Sequence, residues 1–398
     1  MKLLILLAAA ALASAQQSTE KLFDEIEPMI AELSAMTGLA PLKRVERDFI
    51  TRDKLKEFLV KRIKEVTKPE EIHAEELTLK MFGLVPEDFN LEQATVAVMT
   101  EQAAAFYDYR KKRMFVLEGQ QDEMQRIALF HELAHALADQ HFNLAKYILK
   151  SNTDDAATAR GAVMEGQAQW LMMERMAKKM GQSLLTSDTL LSMVGSMADQ
   201  ASLYPELAKS PMYIRESLLF PYTSGMLFQN AVLKKMGNDG FSEVFKRAPI
   251  STQQILHSEK YFEQLVPAVT KLEKVPNTKE YKKLLEGGLG EFDITMLLKQ
   301  YDGKESAERI APHWRGGRIA LFETKRDKKP LLQHAVEFDT PEAASQYLEI
   351  YRQIMKKKSR EHNEVAAAGV NNFAGSTQAG KFELKLSGTT VSSLEGIR

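Results

Sequence analysis

The stretch HELAHALADQH, His131 to His141, constrains this chain more than any other. Its first five residues match HExxH. Two imidazoles four positions apart can aim at one point when the segment is a helix, where side chains at i and i+4 lie one above the other. Met124, Ile127, Ala128, His131, His135 and Ala138 fall on one face and predict a helix from Asp122 to about Phe142. ALFHELAHAL carries no charge except Glu132, so the helix is expected to be buried. Glu132 sits about 100° round the axis from His131. It is too far round to share an ion with the pair, yet placed to take a proton from water on that ion. The alternative is a buried helix with two satisfied histidines and a surface glutamate.

A metal held by the pair needs a third ligand. His141 falls at the last position of the metzincin pattern HExxHxxGxxH, but that pattern needs a glycine where this chain has Ala138. The glycine ends the helix through a positive φ, which alanine disfavours. With the helix continuing, His141 lies about 15 Å along the axis from His131 and about 80° out of phase. SPMY at 210–213 lacks the spacing of a metzincin Met-turn. The other source is a second helix, predicted from Asp154 to Met180 and ended by Gly181, which carries Glu165 and Glu174. Around Glu165 stand Gly161, Ala162, Ala168 and Gln169, a small uncharged face expected to pack on the metal helix. Glu174 and Lys178 read as an exposed i,i+4 pair. Glu165 is therefore the stronger candidate.

HELAHALAD with the downstream EGQA resembles the gluzincin class of zinc metallopeptidases, the thermolysin-like group, over roughly residues 95–175. AAFYDYRKKRMFV, FPYTSGMLF and STQQILHSEKYF extend a looser similarity to exported bacterial HExxH proteins as far as about residue 262. The resemblance implies a zincin-like metallopeptidase core and one Zn2+ per chain on His131, His135 and Glu165. It also implies Glu132 as general base toward a zinc-bound water, and a peptide or protein substrate. In that class an edge strand ahead of the metal helix binds extended substrate, here AAAFYDY. The chain departs from the class at Gln169, where thermolysin-like enzymes have an aspartate that supports a ligand histidine. Asp139, four residues after His135, is an alternative support. The spacing from His135 to Glu165 also differs. Candidate oxyanion donors are His257, Tyr222 and Tyr261, each with a structural alternative; Ser251 or Thr252 would cap a short helix ending near His257. Two other readings stay open: a non-catalytic metal-bound interaction protein, and a metzincin-type site using His141.

The rest of the chain supplies the setting. MKLLILLAAAALASA has one charge, Lys2, an apolar run from Leu3 to Ala13 and a small-x-small end, and reads as a signal peptide over 1–15. The mature protein is then exported, periplasmic or secreted, with no membrane anchor. It contains no cysteine and hence no disulfide. A formal net charge of −1 argues against a nucleic-acid partner. Residues 16–90 read as helical, 94–117 as strands with a hairpin at DYRKK closed by Gly119, and 154 to about 300 as helices broken at FPYTSG, KRAPIST and GGLGEF. The last hundred residues read as two strands around a charged turn, a helix capped by Thr340, a flexible loop AAAGVNNFAGSTQAG and a final hairpin. His313, Trp314 and His334 read there as core or loop residues. The expected fold is mainly helical α+β: a metallopeptidase domain over 16–300, with a short sheet before the metal helix, and a small α+β unit over 301–398.

Overall fold

The helix expected from the HExxH spacing runs from Asp122 to Phe142. It is buried on nearly every side, with Leu129, Phe130, Leu133, Ala134, Leu137 and Ala138 all in the core. Each large side chain so buried contributes about 1.5–3 kcal/mol. A computed structural model describes residues 22–118, 122–195, 204–366 and 371–398, and the signal-peptide reading and Gly119 lie outside those residues. No helix among the described residues is long and apolar enough to cross a membrane.

The fold is mainly helical α+β. The longer helices are α1 (Ile26–Thr37), α2 (Arg52–Val66), α3 (Pro69–Phe82), α4 (Leu91–Gln102), α5 (Asp122–Phe142), α6 (Asp154–Lys179), α7 (Met212–Met236), α8 (Glu291–Asp302) and α9 (Pro341–Lys358). A small mixed sheet holds β1 (Glu46–Ile50), β2 (Ala105–Asp108) and β3 (Arg113–Leu117) in the order β1-β3-β2. β1 runs parallel to β3, and β2 pairs antiparallel with β3 across the hairpin expected at DYRKK. β2 is thus an edge strand, and α1, β2, β3 and α6 enclose α5 in one apolar cluster.

The C-terminal sheet has seven antiparallel strands: β4 (Tyr281–Gly288), β5 (Trp314–Thr324), β6 (Pro330–Phe338), β7 (His362–Ala366), β8 (Asn372–Thr377), β9 (Gly380–Ser387) and β10 (Thr390–Ile397). Their order is β4-β5-β6-β10-β9-β8-β7. α9 covers it, starting where Thr340 Oγ1 accepts the Ala343 N–H and burying Ala344, Tyr347, Leu348, Tyr351 and Ile354. Trp314 and His334 are core residues, as expected; the His334 ring lies against Tyr351 and Phe82. Exposed His313 pairs with Asp339.

Several local expectations are corrected. ATVAVMTEQ is helix, not strand, because Asn90 caps α4 by accepting the Gln93 N–H and Val96 and Val98 are buried along it. Residues 46–50 form a strand inside a stretch read as helical, since they complete a parallel pairing with β3. FPYTSG is no break: Pro221 lies inside α7. Residues 281–288 are strand rather than helix, paired with β5 ahead of residue 301. The expected flexible loop contains β8, paired on both sides, while 367–370 lie outside the described residues.

The small face around Glu165 is shared: Ala168 is buried in the apolar cluster that encloses the metal helix, whereas Ala162 packs on α7. A Cβ on Gly166 would collide with the Gly225 backbone, and one on Gly225 with the Ala162 carbonyl. The two helices cross backbone to backbone there. Gly161, by contrast, has open space around its missing Cβ. Gly225→Ala is expected to lower stability by about 1–3 kcal/mol through overpacking, and Gly161→Ala to raise it by up to about 1 kcal/mol through helix propensity. Urea unfolding of the two variants checks this; equal effects would refute the close crossing.

Candidate metal centre

Three donor atoms meet where α5 faces α6. His131 Nε2 and His135 Nε2 stand 3.2 Å apart, and Glu165 Oε2 lies 3.1 Å from the first and 3.2 Å from the second. Ligands at about 2.0–2.1 Å in a tetrahedral array are separated by about 3.3 Å. The triangle therefore fits a single ion. Both histidine side chains are 10% exposed, whereas the Glu165 side chain keeps 27% of its surface open, so solvent reaches the group from the glutamate side.

Glu132 completes a His131–Glu132–His135 group that can hold a metal ion, consistent with an HExxH-like motif, its donor atoms within 4.8 Å of one another. Its Oε2 is already committed, accepting the Tyr107 N–H of β2 at 2.8 Å. Glu165 makes the better third donor, because its oxygen is equidistant from both nitrogens. Glu132 is left beside the group rather than in it.

The charges follow from burial. Burial pushes Glu132 up, against the pull of the two imidazoles. Burial would lower His135, but the Glu165 carboxylate outweighs it and lifts His135 to about 9. Glu165 is itself held well below the ordinary range: burial would raise it, and His135 and His131 more than reverse this. In the metal-free protein a proton thus occupies the place of a cation.

Tyr222 of α7 joins the site. Its ring stacks over His131 with centroids 5.9 Å apart, and its hydroxyl hydrogen-bonds Glu165. The Glu165 charge first, and then burial, keep that hydroxyl protonated. It sits in mid-helix, not ahead of a helix as its sequence setting suggested, three residues before the Gly225 crossing.

The other candidates lie elsewhere or act at one remove. α5 runs unbroken through Ala138, and His141 Nε2 meets the Ala40 carbonyl at 2.8 Å. Asp139 is buried and spends its oxygens on Tyr107 Oη, Lys112 Nζ and the Leu144 N–H. Its charge nonetheless acts on His135. Gln169 is buried one turn beyond Glu165. Glu174 is buried rather than exposed: Ser183 Oγ and the Leu184 N–H donate to it, with Lys178 at 3.8 Å. His257 Nε2 is taken by Glu291 Oε1 at 2.6 Å, and Tyr261 Oη donates to the Arg247 carbonyl. The Ser251 side chain makes no capping bond, while Thr252 Oγ1 donates to Asp155.

Two residues escaped the sequence. Tyr107 holds Glu132 with its backbone and Asp139 with its hydroxyl. Lys112, at φ 56° in the hairpin turn, reaches back to Asp139. The hairpin was visible, but which of its groups face α5 depends on pairing register.

The profile of a family described as a domain of unknown function, DUF8575, matches residues 281–398, the stretch from β4 to the C-terminus. No curated protein and no solved structure matches the chain.

The protonated His135 gives a pH signature. An unfolded histidine titrates near 6.5, so a folded value of about 9 means the contribution is complete below about 6.5 and lost as pH rises through 9. Metal-stripped protein is expected to melt at falling temperature across that window relative to His135→Gln, and zinc to reverse the trend. A constant difference between the two proteins would exclude the His135–Glu165 pairing.

Proposed function

We propose that this chain is an exported, zinc-dependent metallopeptidase. The observation that carries the reading is the near-equilateral triangle of His131 Nε2, His135 Nε2 and Glu165 Oε2 with an uncommitted face of Glu132 beside it. Two imidazoles and one carboxylate form the donor set of catalytic zinc, which keeps one position open. Zinc bound there supplies a Lewis acid that polarises a peptide carbonyl and acidifies water.

The chain's own groups divide the remaining work. Glu132, its carboxyl raised by burial and one oxygen fixed by Tyr107, takes the proton of the attacking water and passes it to the departing amine. Tyr222 offers a protonated hydroxyl to the oxyanion that develops at the carbonyl. Leu117 N–H bonds to the Ala104 carbonyl, so by alternation Ala105 and Tyr107 turn their backbone groups away from β3, toward the Glu132 side. An extended peptide added to that edge would lie alongside the base. The gluzincin resemblance supports the same assignment.

In a peptide-library assay with metal analysis, Glu132→Gln is expected to keep about one zinc per chain and lose activity by a factor of about 10² or more. Glu165→Ala should lose the metal, and Glu174→Ala should keep it. Tyr222→Phe should lower kcat by roughly 10–10³ with little change in KM. Full activity in Glu132→Gln would end the peptidase reading. Zinc bound without turnover on any peptide would leave a metal-binding protein.

A further inference from the structure

His334 of β6 is fully buried, and neither of its ring nitrogens has a hydrogen-bond partner among the described residues. Burying an imidazole without such bonds is unfavourable, so packing alone does not account for a histidine there. Its ring centroid lies 5.4 Å from that of Phe82, the last residue of α3, and 4.7 Å from that of Tyr351 on α9. The ring therefore sits on the sheet beneath two helices.

A buried ion pair shares this interior. Lys358 Nζ meets Glu395 Oε2 at 2.6 Å, with the two side chains only 6% and 5% exposed. Glu395 also accepts from Tyr351 Oη and Ser393 Oγ, and Ser393 lies opposite His334 across the β6–β10 pairing. The same ammonium donates to the Met81 carbonyl at 2.9 Å and lies over the Phe82 ring. The C-terminal end of α3 is thus seated on the very groups that surround His334. Besides Lys358 and Glu395, the elements packed here bring no charge among the described residues: α9 brings Tyr347 and Tyr351, α3 brings Phe82, and β5 brings Ile319.

The charges balance only while His334 is neutral. One carboxylate answers one ammonium, and an imidazolium would be a second cation in the same dry interior. Burial is the first reason the ring resists a proton; Lys358 adds to it against the pull of Glu395, and the folded value falls to about 4. Once opening wets the ring, it titrates near 6.5. The closed arrangement is therefore at full strength above about 6.5 and weakens as pH falls toward 4. Of the two covering helices, α3 buries three side chains, Ala74, Leu79 and Phe82, and α9 buries seven, so α3 opens first. We infer that His334 is an acid-sensitive pin whose protonation releases α3 from the C-terminal sheet and uncovers the apolar floor beneath it.

Hydrogen exchange of the full mature chain, read over residues 69–82, tests this. From about pH 7.5 to about pH 5 the protection of α3, corrected for the intrinsic exchange rate, is expected to fall about 30-fold in wild type. In His334→Phe it should fall less than about threefold. Any metal shed in acid is shed by both proteins, so the difference between them belongs to His334. Lys358→Met leaves Glu395 free to pair with the imidazolium, so its acid loss should shrink or reverse. Equal losses in wild type and His334→Phe, or none in wild type, would overturn the proposal. A loss in Lys358→Met as steep as in wild type would do the same, and it decides the matter where His334→Phe does not fold.

Discussion

Two imidazoles and a carboxylate converge to within 3.2 Å inside the protein. Such a cluster tolerates burial only with a positive charge at its centre, a proton or a metal ion. Much of the surrounding structure meets that requirement. α5 is wrapped in apolar side chains and cannot turn about its axis without exposing them. α6 brings Glu165 to the pair from thirty residues downstream of His135. α7 presses against α6 where Gly166 and Gly225 leave no side chain between the backbones, which is how Tyr222 reaches Glu165.

A second polar layer stiffens the first. Tyr107 touches Glu132 through its backbone and Asp139 through its hydroxyl, so strand and helix are tied at two points about two turns apart, one on either side of His135. Lys112 balances Asp139, and the Leu144 N–H after the end of α5 closes on the same carboxylate. Replacing an imidazole support by this clamp lets Asp139 act on His135 through its field rather than through contact.

The parts of the site that lie on one helix were legible in the sequence, because helical periodicity converts spacing directly into position. The bounds of α5, the failure of Ala138 to end it and the place of Glu165 on a neighbouring helix all follow from local rules. What escaped depends on partners far away in the chain. β1 exists because β3 offers it a parallel edge, and β4 because β5 does. The valines of α4 favour a strand until Asn90 and the core outweigh them. Glu174 looked exposed because Lys178 was its only visible partner, whereas Ser183 and Leu184 fold back over it. The same limit hid Tyr107, whose decisive group is a backbone N–H.

The α3 helix has a consequence for how this chain can be divided. Ala74, Leu79 and Phe82 are buried in one apolar cluster with Leu297 of α8, Trp314 and Leu332 of the sheet, and Tyr347 of α9. Residues from the first quarter of the chain thus form part of the floor under the C-terminal sheet and its helices. A sequence boundary at 281 cuts no loop free; severed there, both pieces would carry a wet apolar face. The unit that recurs in sequence and the unit that folds cooperatively are therefore different objects, and the second includes α3.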